Sequence, residues 1–568
     1  MGETHISPYT FRPTWLDAVT VARRTLSVAH RQRLYSAGSG FGYHSGQLLN
    51  SQLERITKHL QQVSSDDLSI GLKGLEKESL RVSPQGSISS AAHPNAFGSA
   101  LCHPYITTDY SEALVELVTG AKSSGDDALA ELEKIHQFVY ANLAGERLWV
   151  ASMPCVLHGE ESIPIARYGS SNVGRMKHVY RVGLGFRYGR IMQAIAGLHF
   201  NYSPAPSVWP ALATVLGETN DRAFRDRCFM GMLRNLKTNN WLVSYLFGAS
   251  PAVCKSFLPN GGAGLEAFDR NTWYYPHGTS LRLSDIGYSN RAVGGLQISY
   301  NSLDQYVEGL ALAIAAPHPA YARIGARRNG EWLQLNANVL QIENEYYSFV
   351  RPKRVPEGNE KRTSALARRG IQYVELRSVD LDPWEPLGMS TETMRFLEVF
   401  CLSALLTPSA PMTASSQTEQ DDNLQCVARF GRKPGAMLSR DGESLELRAW
   451  ALTMLDQLQH VAQLLDAESV TPVFAQAVAT QRAKVEDPSL TPSARVLADM
   501  RAHSEGFYHF AMRRSVEVQQ WFAKRPLPDC DARRMQADAA KSHVEQQEIE
   551  ARDDASFEEY LARYFEQP

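Results

Sequence analysis

GLEKESLRV (residues 74–82) and IQYVELRSV (residues 371–379) decide how this chain is to be read. Both have the composition of β-strands, and in a strand residues i and i+2 point to the same face. The first therefore projects Glu76 and Glu78 together, and the second projects Glu375 and Arg377. Leu75, Val374 and Leu376 point the other way. Such charges are costly on a covered face unless they hold a cation or a charged ligand. Paired carboxylates beside a fork-shaped guanidinium suit a site that clamps metal ions and transfers a phosphoryl group. Glu76 and Glu78 stand about 6.5 Å apart along a strand, so each carboxylate can own one ion of a pair. The plain alternative is a wet strand edge, with Lys73 solvated beside them.

Two segments between these strands add polar groups. YITTDYSEALVELVT (105–119) supplies Asp109, Glu112 and Glu116. It reads equally as a helix start, with Asp109 as N-cap and Glu112 closing a capping box, or as a strand aiming Glu116 into an acidic site. AIAGLHFNYS (194–203) places His199, Asn201 and Ser203 on one strand face and Phe200 and Tyr202 on the other. A neutral imidazole is a good donor for divalent ions. No GxxxxGK[ST] loop, GxGxxG, HExxH or GxSxG motif is present, so any ATP phosphates must be held by metals and basic side chains.

Bulk properties narrow the classes. The 568 residues call for several domains or one large core with appendages. A formal net charge of −3 gives no reason to invoke nucleic acid or an anionic membrane. The longest apolar runs, around 309–316 and 400–406, are far short of a membrane span. Seven cysteines are scattered and never in CxxC spacing, which fits a reducing compartment and no disulfide scaffold.

Three regions follow. Residues 1–50 carry Arg23, Arg24, Arg31 and Arg33 with no acid between Asp17 and Glu54, then a Gly/Ser-rich stretch. They read as a poorly ordered extension or as an organelle-targeting segment. Residues 51–430 alternate strand-like and helix-like patterns, with an amphipathic helix at 129–143. Loops are expected at 259–264 and 351–370, the second strongly basic and suited to covering a polyphosphate. Residues 431–568 turn helical: 445–465, then 531–565 with Val544, Ile549, Phe557, Tyr560, Leu561 and Phe565 inward.

Taken in order, GLEKESLRV, the 93–119 stretch ending in YITTDYSEALVELVT, ASMPC, RYGSSNVGRMKHVYRVGL, GLHFNYS, YLFGASPA, TSLRLSDIGY, NVLQIENEYY, RPKRV and YVELRS closely resemble the proteobacterial-type glutamate–cysteine ligase family. The resemblance runs from about residue 70 to 390. It implies an α+β, glutamine synthetase-like fold: a curved, mainly antiparallel sheet forms an active-site funnel, with helices outside and a helical C-terminal region. It implies ATP-dependent joining of L-glutamate to L-cysteine with magnesium, or manganese in its place, as the first step of glutathione synthesis. The implied partners are these small molecules alone, the state a monomer, the compartment the cytoplasm.

By the same resemblance, Glu76, His199 and Glu375 hold an ATP-side metal, and Glu78, Glu116 and Asp109 the substrate-side metal or metals. Arg377 meets the transferring phosphoryl group, with Lys353 and Arg354 also on the nucleotide. Arg282 anchors substrate. Tyr180, Tyr288 and Tyr347 wall the cysteine, with Asn201 nearby. Tyr110 stands where the family pattern has Phe, which keeps a ring and adds a hydroxyl.

Overall fold

The computed structural model describes residues 56–154, 156–262, 264–287 and 296–567. The N-terminal expectation, residues 1–50, lies outside them. Strands β1 (Leu72–Val82), β2 (Ile106–Thr108), β3 (Leu114–Val118), β4 (Arg147–Leu148), β5 (Leu198–Ser203), β6 (Val350–Lys353) and β7 (Tyr373–Val379) form one sheet. Its order is β6-β7-β5-β1-β3-β2, with β4 paired to β1. Every neighbour is antiparallel. Glu76 lies opposite His199, Glu78 opposite Glu116, and Glu375 opposite both Asn201 and Arg351. Directly opposed residues share a face, so the register gathers the charged residues of five strands on one side.

The other side is apolar. Leu75, Leu117, Leu198, Phe200, Val374 and Leu376 are wholly buried there. Helices α1 (Gly125–Ala141), α3 (Arg222–Phe247) and α5 (Thr391–Leu406) pack against it. In α5, every residue from Thr393 to Leu406 except Arg395 is buried, so the apolar run at 400–406 belongs to a core helix. Among the described residues, no helix is long and apolar enough to cross a membrane.

Lys73 also points to this covered side and is not solvated. Its ammonium pairs with Glu398 at 2.6 Å and donates to the carbonyls of Ser69 and Ser123. Burial pushes the Glu398 carboxyl up to about 7 despite that partner. Lys73→Met strands a buried carboxylate and is expected to destabilise the fold by about 3–5 kcal/mol, read as a lower urea midpoint. Adding Glu398→Leu should recover most of the loss. A carboxyl raised in the folded state favours folding in acid. Its contribution is full below its ordinary 4.5 and is lost as pH rises through about 7. The gap between native protein and Lys73→Met should therefore stay level over that window and widen above about pH 7, where Glu398 ionises beside Lys73 but resists ionising without it. A double variant as unstable as the single would refute the pairing argument.

The 105–119 stretch resolves as the β2–β3 hairpin rather than a helix start. Glu112 faces away from the site and accepts from the backbone N–H groups of His93 and Arg167. The basic segment 351–370 is not one loop. It begins in β6 and ends in a short helix, α4 (Arg362–Arg369), because Val350 and Pro352 alternate inward and RTSALARR has a buried side. Cys254 is disulfide-bonded, a bridge that the scattered spacing does not announce, while Cys102, Cys228, Cys401, Cys426 and Cys530 are free.

The C-terminal region carries α6 (Leu447–Leu465), α7 (Val473–Glu486), α8 (Phe507–Ala523), α9 (Asp529–Arg552) and α10 (Phe557–Glu566). Leu445 belongs to a small hairpin before α6. One continuous buried cluster runs from Ile56 to Met535, so α6 to α9 share the core of the sheet, while Phe557 and Leu561 of α10 belong to a smaller cluster with Met176, Val179 and Tyr180. The 531–565 pattern breaks at Ser556, whose hydroxyl and Glu559 form a capping box. Val544 is exposed, because α9 turns Met535, Ala539 and Ser542 inward. Ser542 accepts from the Ser99 N–H, and the Ser99 hydroxyl donates to Gln546. That contact is polar, so apolar periodicity cannot see it.

Candidate active site

Glu76, His199 and Glu375 converge from three adjacent strands. One ligand atom from each lies within 4.8 Å of the others. His199 Nδ1 is 3.2 Å from Glu76 Oε2 and 4.0 Å from Glu375 Oε1, and its Nε2 is 3.6 Å from Glu78 Oε1. Burial lowers the imidazole pKa, which keeps it a neutral donor despite the Glu76 hydrogen bond. Glu375 is fully buried. Lys353 Nζ donates to its Oε1 at 2.8 Å, and Arg377 Nη1 lies 3.3 Å from its Oε2. Burial pushes this carboxyl up, yet Lys353, Arg377 and His199 together hold it well below the ordinary range. For Glu76, burial and Glu375 raise the pKa, but the His199 hydrogen bond and Lys353 bring it to about 2.

The neighbouring acids sit in the opposite field. Burial, then Asp109, pushes Glu78 up to about 8, although Oε2 accepts from the Gly197 N–H at 2.6 Å. Burial, with Glu76, Asp109 and Glu78, raises Glu116 well above the usual range. Four carboxylates crowded this way call for added positive charge. Hard oxygen donors with one imidazole suit magnesium or manganese. The donor set thus fits a pair of divalent ions.

These residues open into a cavity of about 580 Å³. Glu76, Glu78, Asp109, Tyr110, Glu116, Tyr180, His199, Arg282, Tyr347, Lys353, Glu375 and Arg377 all line it. Arg282 is buried on a short turn after Ser280. Its Nη2 donates to the Arg377 carbonyl at 2.6 Å, and Nη1 lies 3.5 Å from Asp380. A Cβ on Gly197 would collide with that guanidinium, so glycine there admits Arg282 to the floor.

Not every expected residue reaches the cavity. Asn201 stands behind Glu76, its amide donating to Oε1 at 2.8 Å, and does not line the wall. Arg354 is likewise absent from the lining, because it follows Lys353 and alternation turns it away. Tyr288 lies outside the described residues. Conversely, Lys177, Arg181, Glu343, Arg362, Tyr373, Tyr560 and Tyr564 line the cavity without having been singled out for the site. Lys177, Tyr180, Arg181 and Leu184 recur three and four apart on α2 (Asn172–Tyr188), the signal that would have found that wall.

The solved structure of glutamate–cysteine ligase from Francisella tularensis in complex with AMP is similar. Its TM-score is 0.82 at 35% identity, over 87% of this chain and 97% of that one. A bifunctional glutathione synthetase from Pasteurella multocida shares the fold at TM-score 0.64 and 23% identity, over 84% of this chain and 55% of that one. Fold and site together define a ligase. Residues 56–427 match the family model described as glutamate–cysteine ligase. The glutamate–cysteine ligases of Pseudomonas paraeruginosa and Azotobacter vinelandii are each 46% identical, over 87% of this chain and 94% of the relative. The chain belongs to the glutamate–cysteine ligase family, and the matched span contains all seven strands of the sheet.

Proposed function

We infer that this cavity joins the γ-carboxylate of L-glutamate to the amino group of L-cysteine, converting ATP to ADP and phosphate and opening glutathione synthesis. Family membership supports the reaction. The observation that carries it here is one cavity holding Glu76, His199 and Glu375 beside Arg377 and Lys353. The AMP bound to the Francisella relative supports a nucleotide in this cavity.

A carboxylate does not acylate an amine in water, so its oxygen must first take the γ-phosphoryl group of ATP. The resulting acyl phosphate has a good leaving group. The amine of cysteine attacks its carbonyl carbon, and phosphate departs. Charge develops mainly on phosphoryl oxygens, so positioning and electrostatic stabilisation supply the rate. Glu76, His199 and Glu375 would hold one divalent ion and Glu78, Glu116 and Asp109 the other; bound there, such ions neutralise phosphate oxygens.

The chain's own groups do the rest. Arg377 presents a planar fork to the transferring phosphoryl group. Lys353 fixes Glu375 and adds a positive charge on the nucleotide side. Arg282 steadies the Arg377 backbone and lines the floor of the cavity as a cation for substrate. Tyr180 and Tyr347 form the wall against which we place the cysteine side chain, with Tyr110 beyond. All these groups come from one chain, so a monomer suffices. The need for ATP and a reduced thiol substrate points to the cytoplasm.

Purified protein with magnesium-ATP, glutamate and cysteine should release ADP, and omitting any of them should abolish release. 2-Aminobutyrate, which keeps the size of cysteine without its sulfur, should partly replace it, and ammonia should not. Equal rates with ammonia would overturn the choice of amine. No ADP release with cysteine would leave a binding protein on this scaffold.

A further inference from the structure

We propose that Tyr564, with Tyr560 beside it, forms the wall on which the adenine ring of ATP lies, and that residues 565–567 are latched beside the cavity to hold that wall. This rests on the reading that the cavity uses ATP, and adds where the base sits.

The direction of the cavity carries the argument. Tyr347 has the cationic groups of Arg282 and Arg377 close by, so the amino-acid groups gather at the Arg377 end. Phosphates belong at Glu375, Lys353 and Arg377. Along β7, Tyr373 shares their face, about 6.5 Å beyond Glu375, and pairs with Lys353 at the sheet's edge. Pro356, Asn359, Arg362, Tyr560 and Tyr564 also line the cavity, and hydrogen bonds joining Lys361 and Asn359 to Gln567 set α10 beside the segment that leaves β6 at Lys353. A nucleotide with its phosphates fixed must send its nucleoside that way.

The last helix is built to present those rings. Phe557 and Leu561 of α10 are buried against Met176, Val179 and Tyr180 of α2, and the Arg175 guanidinium sits 4.5 Å from the Phe557 ring centre. Tyr560 and Tyr564, four apart, share the adjoining face and are only half-buried. The end is then tied down. Lys361 Nζ donates to the carbonyls of Phe565 (3.0 Å) and Gln567 (2.5 Å), and Lys361 N–H donates to the Gln567 side chain at 2.9 Å. The Gln567 amide donates back to the Asn359 carbonyl at 3.1 Å. The latch thus joins α10 to the 356–362 segment, the other side of the same cleft. Base–aromatic stacking is worth enough to dominate the affinity of a nucleoside.

The test uses the full chain, with AMP and tripolyphosphate as separate probes in calorimetry and steady-state KM values alongside. Tyr564→Ala should weaken AMP by at least about tenfold and raise the KM for ATP comparably, leaving tripolyphosphate binding and the KM values for glutamate and cysteine unchanged. If Tyr564→Ala does not fold, Lys361→Met supplies the test: unlatching should weaken AMP in the same selective way. AMP affinity within about twofold of native in a folded variant would overturn the proposal, as would a rise confined to the KM for cysteine. Native protein that releases no ADP with both amino acids would instead remove the ligase reading, an outcome distinct from either.

Discussion

Glu375→Gln is expected to lower kcat by about a thousandfold or more, a loss of about 4 kcal/mol of transition-state stabilisation. Glu375 is the most constrained acid of the site. It is fully buried, takes a 2.8 Å hydrogen bond from Lys353, lies 3.3 Å from Arg377, and completes the group with Glu76 and His199. Glutamine keeps the volume and removes the charge. Its amide NH2 would face Lys353 or Arg377, or a cation, each of which needs an acceptor. Both nearby cations would lose their neutralising partner in a buried setting, and they would be drawn towards Glu76 or substrate phosphates, away from their working positions. The substitution leaves the apolar face of β7 untouched, so the fold should survive. Turnover should be measured beside a thermal melt and ATP binding. A folded variant within about tenfold of native turnover would remove Glu375 from the site.

The strands that carry this chemistry were legible because the signal is local. Alternation within GLEKESLRV, GLHFNYS and YVELRS fixes which side chains share a face, and pairing brings those faces into register. The 105–119 stretch could not be settled that way. Asp109 and Glu112 satisfy a capping pattern, and only pairing of Thr107 with Glu116 selects the hairpin. Arg354 illustrates the converse: composition marks a basic stretch, but it does not say which cation of that stretch lines the cavity, and Lys353 does where Arg354 does not. The pairing of Lys73 is invisible to the sequence, because a single lysine on a strand does not announce a buried Glu398 325 residues later in the chain. The wall formed by α10 depends on where the C-terminus docks, a contact between residues about 200 positions apart, such as Lys361 with Gln567.

Arg377→Lys should cost at least about a hundredfold in kcat even though it conserves the charge. The guanidinium is held by Glu375 on one side, and its backbone is pinned twice, by N–H donation to the Phe349 carbonyl and by Arg282 donating to its own carbonyl. That fixes the plane of the fork relative to β7. Burial opposes its charge, but Glu375, then Tyr347 and Glu78, keep it firmly protonated. A lysine ammonium reaches one acceptor at a time and is shorter, so in this pocket it would settle on the Glu375 carboxylate and leave the phosphoryl oxygens without a donor. The same burial would depress its pKa, weakening the charge that remains. The expected signature is a fall in kcat larger than any rise in the KM values, since two parallel donors matter most as the phosphoryl group moves between oxygens. Steady-state kinetics with all three substrates read that split directly. Native kinetics in the lysine variant would show that a point charge suffices, and the planar contact with the transferring group would have to be given up.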